Sequence, residues 1–118
     1  MIEIHDRVVI HTGTGEREVI DPSDVYFLEA AEGRTLIRFR SSRPVYDIRL
    51  LGELEPLFEP SGFFRIHRNY MVNLRRIRKI RRRKKGEEWE LKLEPPVNRV
   101  LPISRKELKK VWAVLGEQ

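Results

Sequence analysis

Residues 88–94 read EWELKLE, and this alternation constrains the fold more than any other stretch of the chain. Trp89, Leu91 and Leu93 fall on one side of an extended backbone, and Glu90, Lys92 and Glu94 fall on the other. A helix would scatter these residues around its axis, whereas a strand with one buried face needs this period of two. TLIRFR, residues 35–40, repeats the rhythm with Ile37 and Phe39 opposite Arg38 and Arg40. VYFLEA, residues 25–30, is apolar on both sides, as befits a central strand covered on two faces. Shorter strand-like runs occupy residues 7–11, 17–20, 44–48, 63–67, 76–82 and 98–103, and TGTG, EGR, SSRP, KKGEE and EPP punctuate them as turns. The chain is therefore expected to be mainly β.

Two stretches read as helix. RLLGELEPLF, residues 49–58, places Leu50, Leu51, Leu54, Leu57 and Phe58 on one face, and Pro56 predicts an end or kink just before it. Near the C-terminus, Ser104 and Glu107 have the spacing of a capping box, followed by Leu108, Val111, Trp112 and Leu115 at helical intervals. Gly116 suits the C-terminal stop. A length of 118 residues fits a single domain over 1–118, with its core in roughly residues 7–115.

Several functions find no residues to carry them. The chain has no cysteine, hence no disulfide or thiolate chemistry, and it lacks a G-x-S-x-G elbow, a P-loop and a Gly-rich dinucleotide turn. His67 has no second ligand at metal spacing, and His5 and His11 are remote in sequence. Adjacent Glu87 and Glu88 splay to opposite faces of a strand. No enzyme, cofactor or metal is expected. MIEIHDR lacks the basic and apolar regions of a secretory signal, and no run of about 18 apolar residues exists, so a cytoplasmic protein without a membrane span is expected.

Charge supplies the positive signal. Residues 1–64 carry 7 Lys/Arg against 12 Asp/Glu, a balance of −5, and residues 65–118 carry 17 against 6, a balance of +11. Segregation on this scale points to a polyanionic partner. The basic half begins with RIHRNYMVNL, residues 65–74, in which His67, Arg68 and Asn69 interrupt a strand-like sequence. RRIRKIRRRKK follows: Arg75, Arg76, Arg78, Lys79, Arg81, Arg82, Arg83, Lys84 and Lys85 around two isoleucines. On a regular strand Arg76, Arg78 and Arg82 share a face with Ile80, and Ile77 lies opposite. Both faces are then charged, so the strand is expected to be short or at a sheet edge.

Arg105 and Lys106 directly follow the N-cap position, where the helix dipole makes positive charge unfavourable by about 0.3–1 kcal/mol. A nearby phosphate reverses that sign. Arg68 falls where a strand gives way to a loop, and its planar fork suits the O6 and N7 acceptors of guanine. Arg34 occupies the EGR turn between two strands. His67 is expected to donate to a nearby carbonyl, Asn73 to cap the turn after NYMV, and Tyr70 and Met71 to lie in the core.

FFRIHRNYMVNL, followed some thirty residues on by LPISRKELKKV and preceded by VYFLEAAEGRTLIRF, resembles the LytTR-type DNA-binding domain of bacterial transcription regulators over roughly residues 7–115. The resemblance implies an elongated stack of small antiparallel sheets with one or two short helices, including a C-terminal helix. It further implies double-stranded DNA as partner, bound through loops entering successive major grooves, on paired direct repeats. Arg105 matches a position that reads a base, Arg68 one that contacts DNA, and Arg34 lies at the third place where the family approaches DNA; all three are expected at bases. Asn69, where many members have Ser, and Arg76, Arg78, Arg82, Lys84 and Lys106 are then expected at phosphates. Without DNA the domain is expected to be monomeric or weakly self-associating, since no heptad seam exists. Members usually carry a receiver or other sensor domain ahead of this one, whereas here only a few residues precede the first strand. Two other readings fit a small basic β protein: RNA binding, and docking on an acidic protein. Few aromatic residues are available to stack single-stranded bases, which weighs against the former.

Overall fold

The structure, a computed structural model, describes residues 6–41, 43–84 and 86–117. His5 and Lys85 lie outside the described residues. In chain order the first strands are β1 (Val8–His11), β2 (Arg17–Ile20), β3 (Val25–Ala31), β4 (Arg34–Phe39) and β5 (Val45–Asp47). Helix α1 (Leu51–Phe58) follows, then β6 (Phe63–His67), β7 (Tyr70–Asn73), β8 (Ile77–Arg82), β9 (Trp89–Leu93), β10 (Val100–Ile103) and helix α2 (Arg105–Val114). All pairing is antiparallel: a β1–β2 hairpin, a five-stranded sheet ordered β5-β4-β3-β7-β6, and a three-stranded sheet ordered β10-β9-β8.

The five-stranded sheet is the middle layer of a stack measuring 46 × 33 × 26 Å. On one face Val25, Leu28, Ile37 and Met71 meet Val8, Ile10 and Ile20 of the hairpin and Leu51, Leu54 and Phe58 of α1. On the other, Tyr26, Phe27, Ile66 and Val72 meet Leu91, Leu93, Leu101 and Ile103 of the three-stranded sheet and Val111 of α2. The two-sided apolar character of VYFLEA thus reflects two cores on opposite faces of β3. Tyr26 and Phe27 enter the same core because the register of β3 against β4 shifts between Val25 and Phe27. Trp89 and Trp112 close the second core edge-to-face, with ring centroids 5.6 Å apart.

Three expectations need correction. Helix α1 does not end before Pro56, which lies inside it, but continues to Phe58. The lost backbone bond and the clash of the ring with the preceding turn together cost about 3 kcal/mol, but Leu54 and Phe58 are buried on either side of it and gain about 1.5–3 kcal/mol each. Only Leu51, Leu54 and Phe58 face the sheet, leaving Leu50 and Leu57 exposed, as is Leu115 beyond the end of α2. In β8, Ile77 and Ile80 pack into one core rather than opposite faces, because the register shifts between Ile77 and Lys79. One face of β8 is therefore apolar at its start, and the strand forms a sheet edge as expected.

The hairpin is fastened to β5 by one carboxylate. Asp47, fully buried, accepts from His11 N–H (3.0 Å), from Arg49 N–H (2.8 Å) and from the Arg49 guanidinium (Nε 3.0 Å, Nη2 2.8 Å). Arg49 also donates to the Val9 carbonyl of β1 (2.9 Å). Among the described residues no helix is long and apolar enough to cross a membrane.

Candidate nucleic-acid interface

Strand register gathers residues distant in sequence at one end of the stack. Glu29 of β3 lies opposite Tyr70 of β7, so the β3–β4 turn (Glu32 and Gly33) and the β6–β7 turn (Arg68 and Asn69) leave the sheet side by side. Ala30 N–H donates to the Asn69 carbonyl (2.9 Å), and Gly33, Arg34, Asn69 and the first turn of α1 line a common cleft. The start of α2 comes to the same place through an irregularity in β6. Register shifts between Arg65 and His67, and the carbonyl of the intervening Ile66 accepts from Ser104 N–H (2.8 Å). Pairing of Arg82 with Trp89, and of Trp89 with Ile103, brings the tip of the β8–β9 hairpin there too. Arg105 Nη2 reaches Glu87 Oε2 at that tip (3.3 Å).

Arg34, Arg68 and Arg105, the three arginines expected at bases, all sit at this end and are exposed. Arg34 follows Glu32 (φ 46°) and Gly33 (φ 81°), the left-handed pair that makes the tight turn, and its guanidinium lies 3.7 Å from the Tyr46 ring centroid. Asn69, Arg82, Lys84 and Lys106 are exposed at the same end. Arg78 and Arg76 are not brought there, because the pairing of Ile77 with Leu93 puts them at the far end of β8. Arg78 is exposed. Arg76 is engaged within the fold: it donates to the Ser23 carbonyl (2.8 Å), pairs with Glu94 (3.8 Å) and lies 5.1 Å from the Tyr26 ring centroid.

Ser104 is the N-cap residue of α2, but the capping box does not form and its hydroxyl has no hydrogen-bond partner among the described residues. The box requires the Ser104 N–H for Glu107, and the Ile66 carbonyl already holds it. Asn73 does cap its turn, accepting from Arg75 N–H (3.0 Å), and its amide also donates to the Val25 carbonyl (2.9 Å). Met71 is buried as expected, and the Tyr70 hydroxyl reaches Glu29 (3.5 Å).

His67 behaves differently from expectation: its Nδ1 accepts from Asn69 N–H (3.1 Å) rather than donating to a carbonyl. That bond requires a neutral ring protonated at Nε2. Burial, followed by the charges of Arg68 and Arg65, lowers the His67 pKa from the ordinary 6.5. The stabilisation this gives the fold is complete above 6.5 and is lost as the pH falls through the lower folded value. An NMR titration is expected to show an imidazole midpoint below 6.5, with the Asn69 amide shifting in parallel. A midpoint at or above 6.5 would contradict this geometry.

Sequence reasoning passed over Arg65. Its Nε donates to the His67 carbonyl (3.0 Å), its Nη2 to the Arg68 carbonyl, and its Nη1 to Glu55 of α1 (3.0 Å). The available signal was a two-residue hairpin turn without glycine, which leaves the turn in need of side-chain support.

Residues 5–116 match the family model of the LytTr DNA-binding domain. The transcriptional regulatory protein YpdB of Escherichia coli strain K12 is 34% identical over 95 residues, covering 71% of this chain and 36% of that protein. The CO-responsive transcriptional regulator RcoM of Rhodospirillum rubrum is 29% identical over 105 residues, covering 88% of this chain and 43% of that one. The chain thus spans less than half the length of these relatives. Among solved structures, the LytTr DNA-binding domain of a Bacillus cereus response regulator superposes with a TM-score of 0.75 at 23% identity, covering 94% of this chain and 97% of that one.

Proposed function

The chain belongs to the LytTR DNA-binding domain family, and on that premise we propose that it reads duplex DNA sequence-specifically as the output part of a bacterial transcription regulator. The observation that carries this reading is the convergence of Arg34, Arg68 and Arg105, from three separate segments, on one end of the stack. Each projects from a backbone held on both sides by hydrogen-bonded structure, the arrangement that base reading in a major groove demands. Asn69, Arg82, Lys84 and Lys106 surround them and hold the phosphates. Arg78 adds a backbone contact where the duplex runs along β8, and Arg76 serves the fold. The relatives' names as transcription regulators support this cellular role, and a cytoplasmic location accords with it.

Selection from random duplex DNA is expected to enrich one motif, present as two direct repeats. Recovery of no motif would overturn sequence-specific reading. The domain without DNA is expected to sediment as a monomer or a weakly associating one. Its exposed apolar residues, among them Val9, Val19, Ile48 and Leu50, form no heptad seam. A tight dimer without DNA would contradict independent occupation of two half-sites.

A further inference from the structure

We propose that Arg65 is a positioning residue for DNA reading: it fixes the Arg68–Asn69 turn so that Arg68 meets a base edge, without touching DNA itself. This rests on the reading of Arg68 given above. A two-residue hairpin turn favours backbone types with positive φ, which match the twist of the flanking strands. Neither Arg68 nor Asn69 adopts a positive φ, and neither is glycine. The turn therefore lacks intrinsic preference for the hairpin and has to be held from outside. Arg65 does so with its fork, whose Nε and Nη2 bind the consecutive carbonyls of His67 and Arg68. Its third nitrogen is anchored on Glu55 of α1, so the turn is referred to a helix rooted in the core by Leu54 and Phe58. His67 closes the turn from the other side by accepting from Asn69 N–H.

The geometry also separates Arg65 from the contact residues around it. Its side chain is 30% exposed, against 78% for Arg105, and its donors are turned to the protein's own carbonyls and carboxylate. Lysine in its place would keep the charge but offer no planar fork able to span two carbonyls.

The test compares Arg65→Lys with Glu55→Gln, the milder change, and with Arg68→Ala, on the selected duplex and on a scrambled duplex of equal length. Arg65→Lys is expected to lower the selected-to-scrambled affinity ratio by roughly tenfold, within the value of one bidentate base contact. Binding to scrambled DNA and its salt slope are expected to stay at wild-type levels. Glu55→Gln is expected to act in the same direction by a smaller factor. In the free domain, the NMR signals of Asn69 N–H and the His67 ring are expected to move in Arg65→Lys. Equal loss on both duplexes, with a shallower salt slope, would make Arg65 a phosphate contact and overturn the proposal. An unchanged ratio in Arg65→Lys, where Arg68→Ala does lose discrimination, would overturn it as well. If Arg68→Ala retains full discrimination, the base-reading role of Arg68 fails instead. The NMR shifts then decide separately whether Arg65 holds the turn, and their absence refutes it. Should Arg65→Lys fail to fold, Glu55→Gln carries the same readouts and the same two outcomes.

Discussion

Replacing Arg105 or Arg68 with alanine is expected to weaken binding to the preferred duplex by about 1–3 kcal/mol each and to relax preference at one base position apiece. The two sites lie on different elements, the start of α2 and the β6–β7 turn, and the double variant is expected to be near additive if they read separate bases. Arg105 has a further cost in the free protein. It follows the N-cap of α2, against the helix dipole, and is compensated there by Glu87 at 3.3 Å. Both side chains are largely exposed, so that pair is weak in water. Arg→Lys at either position keeps the charge and loses the fork, and is expected to reproduce most of the loss on the selected site but little on a scrambled one. Arg82→Ala and Lys84→Ala are expected instead to weaken all sequences alike, each reducing the salt slope by roughly one unit. For the intact domain, log K is expected to fall with log[salt] at a slope of roughly −4 to −6, the value for about 5–7 neutralised phosphates. A near-flat salt dependence would remove the backbone contacts, and equal losses on both duplexes would remove the base contacts.

Asp47→Ala is expected to destabilise the fold by about 3 kcal/mol, because it strands a largely buried Arg49 and leaves two N–H groups without an acceptor. The figure sits at the lower edge for a broken buried pair, since the Arg49 side chain remains 21% exposed. Burial alone would raise the Asp47 pKa, but hydrogen bonds from the Arg49 side chain and from the His11 and Arg49 N–H groups outweigh it and the net shift is downward. A folded value below the unfolded one gives stability that is complete above the ordinary 3.8 and fades as the pH falls below it. Wild-type stability in a denaturant titration is therefore expected to drop in that acid range, and Asp47→Ala to lose much of the drop. A variant with wild-type stability and the same acid profile would show that the carboxylate contributes nothing net.

The sequence alone determined the elements. Period-two alternation in EWELKLE and TLIRFR became β9 and β4, and the two-sided apolar run became β3 between two cores. It also identified Arg34, Arg68 and Arg105 as charges placed at turns and a helix start, and the structure puts those three at one end of the stack. These features were legible because alternation, turn chemistry and helix polarity act between residues a few positions apart. What depended on long-range pairing was not. The β8 faces were misassigned because a register shift moved Ile77 beside Ile80, and no local pattern announces where a strand will slip against its partner. The capping box at Ser104 failed because the Ile66 carbonyl, 38 positions earlier, took the N–H it needed. Pro56 stayed inside α1 because core burial on both sides outweighed the missing backbone bond and the clash of the ring. Arg65 looked like an ordinary strand residue until the fold set Glu55 on one side of it and two turn carbonyls on the other. Hydrogen-bond partners are chosen by proximity in space, and tertiary packing alone decides which distant groups come within 3 Å of one another.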